Sequence, residues 1–358
     1  MSLNSIGFMI ARPLLHALDA ERAHRLTVRF LSHMPHALAV PLRHDSLKQN
    51  LFGLTFANPL GLASGFDKNA EVPDAMLAQG FGFVEVGTVT PRPQAGNPKP
   101  RLFRLTEDRA VINRMGFNNE GAAAVARRLD QRRGRGGLIG VNIGANKDSE
   151  DRIADYVEGV RWFGTRASYL TLNISSPNTP GLRGLQSRDE LVRLLDRLNA
   201  ARLKLPKRLP MLLKIAPDLE DAALADIVNC TRKGEVDGVI ISNTTLTRPN
   251  LASRHGKEPG GLSGKPLFAL STRQLAKFHQ LSGGRIPLVG VGGISDVETA
   301  WHKIIAGASL IQLYSALVFQ GPELLGEILD GLALKLREHH LINISEAVGL
   351  KSAELAQG

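Results

Sequence analysis

Eight short runs of apolar, β-rich residues recur along the chain from residue 58 onward. They are Asn58–Ala63, Gly82–Thr88, Leu138–Asn142, Tyr169–Asn173, Pro210–Ile215, Gly238–Asn243, Pro287–Gly292 and Leu310–Tyr314. Near-continuous apolar strands separated by helical stretches mean a parallel sheet buried on both faces. Several of the connecting stretches, such as Leu191–Leu205 and Ala222–Cys230, carry apolar residues at helical spacing. Eight such units predict a closed (β/α)8 barrel. A doubly wound sheet is the alternative, but the G-x-G-x-x-G dinucleotide fingerprint is absent. Gly264-Lys265 has the look of a phosphate-loop motif, yet positions 259 and 266 are both proline.

Residues 1–50 have another rhythm and predict a helical extension in front of a barrel spanning 51–358. Ile6, Met9, Ile10, Leu14 and Leu18 recur at helical spacing. Asp19 is a good N-cap for a second helix, with Ala23, Leu26, Phe30 and Met34 on one face. Pro35 and Pro41 close the segment, and Arg12, Arg22, Arg25 and Arg29 decorate it. No apolar run approaches the roughly 20 residues that span a bilayer. Helices this short can lie on a membrane surface instead.

Composition excludes several classes. A single cysteine, Cys230, rules out a disulfide framework and a multi-cysteine metal or iron–sulfur site. Its helix-like surroundings predict buried packing. No secretory signal is present, so a reducing cytoplasmic setting is the expectation. None of the ten histidines falls at a strand end, and no His/Asp/Glu group has ligand spacing, so no metal is expected. The net charge of +10 could serve a nucleic acid or an anionic membrane. The basic cluster from Arg127-Arg128 to Arg132-Arg133-Gly134-Arg135 reads more simply as a solvated helix end, where cations are favourable.

In a parallel barrel all C-terminal strand ends open on one face, where sites form. Here they read Ala63-Ser64-Gly65, Thr88, Asn142, Asn173, Lys214, Asn243-Thr244, Gly292-Gly293 and Tyr314-Ser315. One polar strand end is ordinary loop chemistry; a full ring of them points to a site. Gly292-Gly293 leads into a helix capped by Ser295 or Asp296. With the glycine turn Gly261-Leu262-Ser263-Gly264, it reads as an anion cradle of backbone N–H groups. The loop Asn173-Ile174-Ser175-Ser176-Pro177-Asn178-Thr179-Pro180-Gly181 is stiffened by prolines and studded with amides and hydroxyls. Such amides can clamp a ligand bearing both donors and acceptors, such as a cyclic imide, and a hydroxyl between them could accept a proton. Lys68, after the first strand, could meet a carboxylate, although by its type alone it reads as an exposed lysine.

Four motifs in order, Gly61–Lys68, Glu85–Pro91, Ile112–Asn118 and Asn173–Gly181, resemble those of the dihydroorotate dehydrogenases, and the resemblance spans essentially the whole chain. It implies FMN on the barrel rim and oxidation of dihydroorotate to orotate in de novo pyrimidine synthesis. The family splits by its base. Class 1 places cysteine on a mobile loop and passes electrons to fumarate or NAD; class 2 places serine there, carries an N-terminal helical extension and reduces a quinone. Ser176 and the segment Asp19–Leu26 resemble class 2. The resemblance therefore implies Ser176 as the base. It implies Lys68, Asn113, Arg114, Met115, Gly116, Phe117, Asn173, Asn178, Asn243 and Thr244 around the substrate. Around FMN it implies Ala63, Ser64, Gly65, Phe66, Asp67, Thr88, Asn142, Asn173, Lys214, Ser242, Gly264, Gly293, Tyr314 and Ser315. Lys214 would set a positive charge beside the reduced ring. By the same analogy His24 and Arg104 would meet a membrane quinone, and residues 1–50 would rest on the cytoplasmic face of the inner (cell) membrane.

Two other readings fare worse. A tRNA-dihydrouridine synthase is also an FMN barrel and would use the charge for RNA, but it needs a cysteine acid that is missing after the fourth strand. Aromatic stacking residues are also scarce, at 5% of the chain, so no nucleic-acid partner is expected. An inert membrane-surface scaffold leaves the polar strand ends unexplained.

Overall fold

The computed structural model describes residues 3–33, 44–232 and 234–357. Two helices lead: α1 (Leu3–Ala17) and α2 (Ala20–His33). Asp19 caps α2 as expected, its Oδ1 accepting the Arg22 N–H at 3.0 Å. Met34, Pro35, Pro41 and Lys233 lie outside the described residues, as do the side chains of Ile6 and Met9. A hairpin follows, β1 (Gln49–Leu51) antiparallel to β2 (Leu54–Phe56), so the expected division at residue 50 falls inside a strand. Phe56 stacks edge-on against Phe83, which in turn meets Tyr169. Phe83 and Tyr169 begin their strands, so the hairpin forms the floor of the barrel.

The next strands are β3 (Leu60–Leu62) and β4 (Phe83–Val89), then the short pair β5 (Leu102–Leu105) and β6 (Ala110–Asn113). After these come β7 (Leu138–Ile143), β8 (Tyr169–Asn173), β9 (Met211–Ile215) and β10 (Gly238–Ile241). β11 (Gly261–Gly264) precedes β12 (Leu288–Val291) and β13 (Ala308–Leu313). Strands β3, β4, β7, β8, β9, β10, β12 and β13 close into one parallel barrel. Each of the eight predicted runs supplies one of them. β4 shows why the runs are so apolar: it is buried at every position, because hydrophobic neighbours cover both its faces. Helices Arg188–Arg202 and Asp221–Thr231 overlap the stretches expected to be amphipathic. Cys230 lies on the second of these, partly buried against the core.

The sequence did not predict a separate antiparallel sheet, ordered β11-β6-β5. It brings residues about 150 positions apart into register, Ser263 opposite Val111 for example. The extension docks beside it. Glu21 and Arg101, both buried, make a two-pronged ion pair with Nε–Oε2 at 3.0 Å and Nη2–Oε1 at 2.8 Å. Arg12 donates to the Phe319 carbonyl at 3.2 Å, and the His16 ring contacts the Val318 carbonyl at 2.9 Å. The basic cluster is largely paired: Arg132 and Arg135 both hold Asp74, Arg128 holds Glu120 and Arg133 holds Asp130.

Candidate active site

The C-terminal ends of the barrel strands converge on a cavity of about 830 Å³, closed on its other side by α1 and α2. That volume suits a cofactor together with smaller ligands. Beneath its floor lies a residue the sequence reading had not singled out, Glu85, fully buried in the middle of β4. Its Oε1 accepts the Asn142 Nδ2–H at 2.8 Å. Its Oε2 accepts from Thr171 at 2.9 Å, Gln312 at 3.0 Å and Tyr169 at 3.2 Å. The signal was there: one acidic residue in an otherwise apolar run has to find donors, because an unsolvated carboxylate costs several kcal/mol.

The hydrogen-bonded chain continues upward. Asn142 Oδ1 accepts from Thr88 at 2.6 Å and from Asn173 at 3.2 Å. Asn243 Nδ2 donates to Asn173 Oδ1 at 3.1 Å and to Ser175 Oγ at 3.0 Å. Asn178 Nδ2 donates to Asn113 Oδ1 at 3.2 Å, joining the loop after β8 to the end of β6. The amides are thus held in fixed orientation by one another. Ser176 is buried on the cavity wall, its Oγ accepting the Asn178 N–H at 3.3 Å. Among the described residues no carboxylate or imidazole touches that oxygen.

Lys214, at the end of β9, reaches Ser64 Oγ at 3.3 Å. Burial pushes its pKa down, against the pull of the Glu85 carboxylate. Lys68 donates to the Gly65 carbonyl at 2.7 Å, and burial pushes its pKa down to about 8. Two buried oxygens, Thr244 Oγ1 and Gln312 Oε1, have no partner among the described residues, although Thr244 and Gln312 line the cavity. Gly292 and Gly293 line it too, with φ of +108° and +78°. A Cβ on Gly293 would stand 2.6 Å from the Phe268 nitrogen, so only glycine fits there. The helix after this turn, Val297–Ile305, is capped by Asp296 rather than Ser295, through a reciprocal bond with Thr299. An elongated ligand bearing both negative charge and amide-like edges fits these groups: cations at Lys68 and Lys214, unpaired oxygens at Thr244 and Gln312, and a glycine turn.

Most of the expected residues face this cavity, but three side chains do not. Arg114 turns outward, pairing with Glu258 at 2.8 Å over the Phe103 ring, because an acid and an aromatic face are offered there. Asp67 is fully buried beneath its loop and accepts the backbone N–H groups of Asn69, Glu71 and Val72. It therefore shapes the turn that presents Lys68. Asn142 is fully buried, its amide consumed by Glu85, Thr88 and Asn173. It supports the wall from behind.

At its far end the cavity becomes an apolar groove between the helices and the small sheet, lined by Phe8, Leu15, Leu26, Phe30, Leu102 and Val111. His24 and Arg104 stand where groove and barrel meet. His24 contacts the Tyr314 hydroxyl at 3.3 Å and the Phe66 ring edge-on. Burial, with Lys68 adding to it, pushes its pKa down to about 3, so the ring is neutral. Arg104 donates to the His16 and Leu15 carbonyls at 3.0 and 3.4 Å, which ties α1 to β5, and its Nε is buried without a partner.

A family model described as dihydroorotate dehydrogenase matches residues 46–336. The chain is 57% identical to a dihydroorotate dehydrogenase (quinone) from Novosphingobium aromaticivorans, over 96% of this chain and 99% of that one. It is 55% identical to a protein of the same name from Erythrobacter litoralis, with the same coverage. Among solved structures it superposes on a ligand-free dihydroorotate dehydrogenase from Eimeria tenella with a TM-score of 0.88 at 39% identity, over 93% of this chain and 99% of that one. The Eimeria tenella enzyme in complex with ferulenol gives the same score at 40% identity, over 92% and 95%. The chain belongs to the dihydroorotate dehydrogenase family, in its quinone-dependent branch.

Proposed function

We propose that this chain oxidises dihydroorotate to orotate in pyrimidine synthesis, with Ser176 as the base and a membrane quinone as the final acceptor. The observation that carries the reading is one continuous cavity, which runs from an amide-lined barrel mouth into an apolar groove. Bound FMN supplies the two-electron acceptor at the barrel mouth. Lys214, Gln312 and the Gly292–Gly293 turn would hold that group. Lys68 would meet the substrate carboxylate. Asn113, Asn173, Asn178 and Asn243 would clamp its imide edge, since each amide offers both donor and acceptor.

The substrate must lose a proton from the carbon beside a ring carbonyl. Ser176 lies on the wall between Asn173 and Asn178 and would take it. A serine hydroxyl is a weak base, so the proton must move on through water or Thr179, which is also buried in that loop. In the groove, His24 would offer a neutral ring to a quinone carbonyl and Arg104 its unpaired Nε.

Residues 1–50 form the access segment of this reading, in front of the barrel at 51–358. Ile10 and Leu14 are 69% and 71% exposed, beside arginines, and no helix among the described residues is long and apolar enough to cross a membrane. A surface-lying segment on the cytoplasmic face of the inner (cell) membrane fits these features.

Ser176→Ala tests the base. It should retain FMN and bind dihydroorotate while anaerobic bleaching of the flavin slows by about 10²–10⁴-fold. Bleaching at the wild-type rate in stopped flow would remove Ser176 from the role.

A further inference from the structure

Lys303 is used by nothing described so far. It sits on the helix Val297–Ile305 and is fully buried. An ammonium carries three donors, yet Lys303 has one hydrogen-bond acceptor, Ser271 Oγ at 2.6 Å. No carboxylate pairs with it among the described residues, and burial pushes its pKa well down. Its Nζ also stands over the face of the Phe268 ring, 5.3 Å from the centroid. A buried ammonium without a counter-charge is costly, so the group gives up its proton unless an anion lies close by to hold the charge.

The neighbours of Lys303 show where that anion would lie. The Ser271 hydroxyl stands within donating distance of the Gly292 carbonyl at 3.0 Å and of the Phe268 carbonyl at 3.2 Å. Gly292 and Gly293 line the cavity, whereas Ser271 and Lys303 stand behind them. Gly293 packs directly on Phe268, the first residue of the helix Phe268–Ser282, and the N-terminal end of that helix carries partial positive charge. A glycine turn, a helix start and a buried amine therefore converge on one short stretch of cavity wall.

We propose that Lys303 is a positioning residue for the flavin phosphate: through Ser271 it fixes the Gly292–Gly293 turn, and it supplies buried counter-charge to the phosphate dianion. The inference rests on the reading above that FMN occupies this end of the cavity. It differs from ordinary core packing in one measurable respect. A packing role serves FMN and riboflavin alike, while a phosphate role serves only FMN.

The test equilibrates the holoenzyme with mixtures of FMN and riboflavin and quantifies the flavin that stays bound after gel filtration. The wild type should prefer FMN. Lys303→Met should lower that preference by about tenfold or more, the scale of one hydrogen bond to a charged group. An unchanged preference in Lys303→Met overturns the proposal. Where that variant yields no folded protein, Ser271→Ala decides instead, because it keeps the amine and removes the bridge. It should lower the preference by about threefold or more, and an unchanged ratio overturns the proposal. A wild type that does not distinguish the two flavins would instead refute the placement of the phosphate at this turn.

Discussion

Lys68 shows how the environment converts an ordinary side chain into a reporter. Burial depresses its pKa from 10.5 to about 8, so it is charged below that pH and neutral above it. If its ammonium meets the substrate carboxylate, kcat/KM for dihydroorotate falls as pH rises through about 8, since this ratio reports the free enzyme. Lys68→Met should be low and flat over the same range. A wild-type profile that stays level from about pH 7 to about pH 9 would remove Lys68 from the carboxylate site. At this scale the sequence was partly legible. Lys68, Lys214 and Ser176 could be placed because strand ends and motifs put them on the rim. Arg114 could not, because its direction depends on Glu258, which is distant in sequence and offers a charge only after folding. Nothing in the sequence marks Lys303, and only the packing of the helix Phe268–Ser282 against it reveals that it is buried.

Among the elements, the extension is held by Val28 and Leu31 packed on the core and by polar contacts, of which Glu21–Arg101 is the most enclosed. Removing one member of such a pair strands the other, at a cost of roughly 2–5 kcal/mol. Glu21→Ala should therefore loosen α2 while the barrel strands stay closed. The expected signature is a split: dihydroorotate still bleaches the flavin at nearly the wild-type rate, whereas turnover with a long-chain quinone drops. Equal losses in both half-reactions would place the helices in the chemistry itself rather than in quinone access. The eight barrel strands were legible because each is short, continuous and buried on both faces, a pattern that needs no distant partner to be recognised. The sheet of β5, β6 and β11 was not, because strands such as Gly261–Gly264 carry too few apolar residues to show a period, and their pairing spans about 150 positions.

Considered as a whole, the molecule exposes a row of apolar side chains on its helical extension, Ile10, Leu14, Leu26 and Phe30, with arginines alongside. Ile10→Glu with Leu14→Glu should abolish pelleting with anionic liposomes without changing flavin bleaching, because both side chains face outward. The neighbouring arginines add about 1 kcal/mol each near such a surface. Full pelleting of the double variant would move the contact elsewhere. The cavity has a further consequence. At about 830 Å³ it is too large for side chains to fill, so the cofactor itself completes the packing of the barrel mouth. Stability then follows flavin concentration, rising by about 2.7 kcal/mol at a hundredfold excess over Kd, and melting temperature should climb with the logarithm of added FMN. In a living cell this makes flavin supply a control on protein lifetime. A shortage of flavin would leave newly made chains with a loose mouth for proteases to find, and the enzyme would disappear while its messenger RNA persisted.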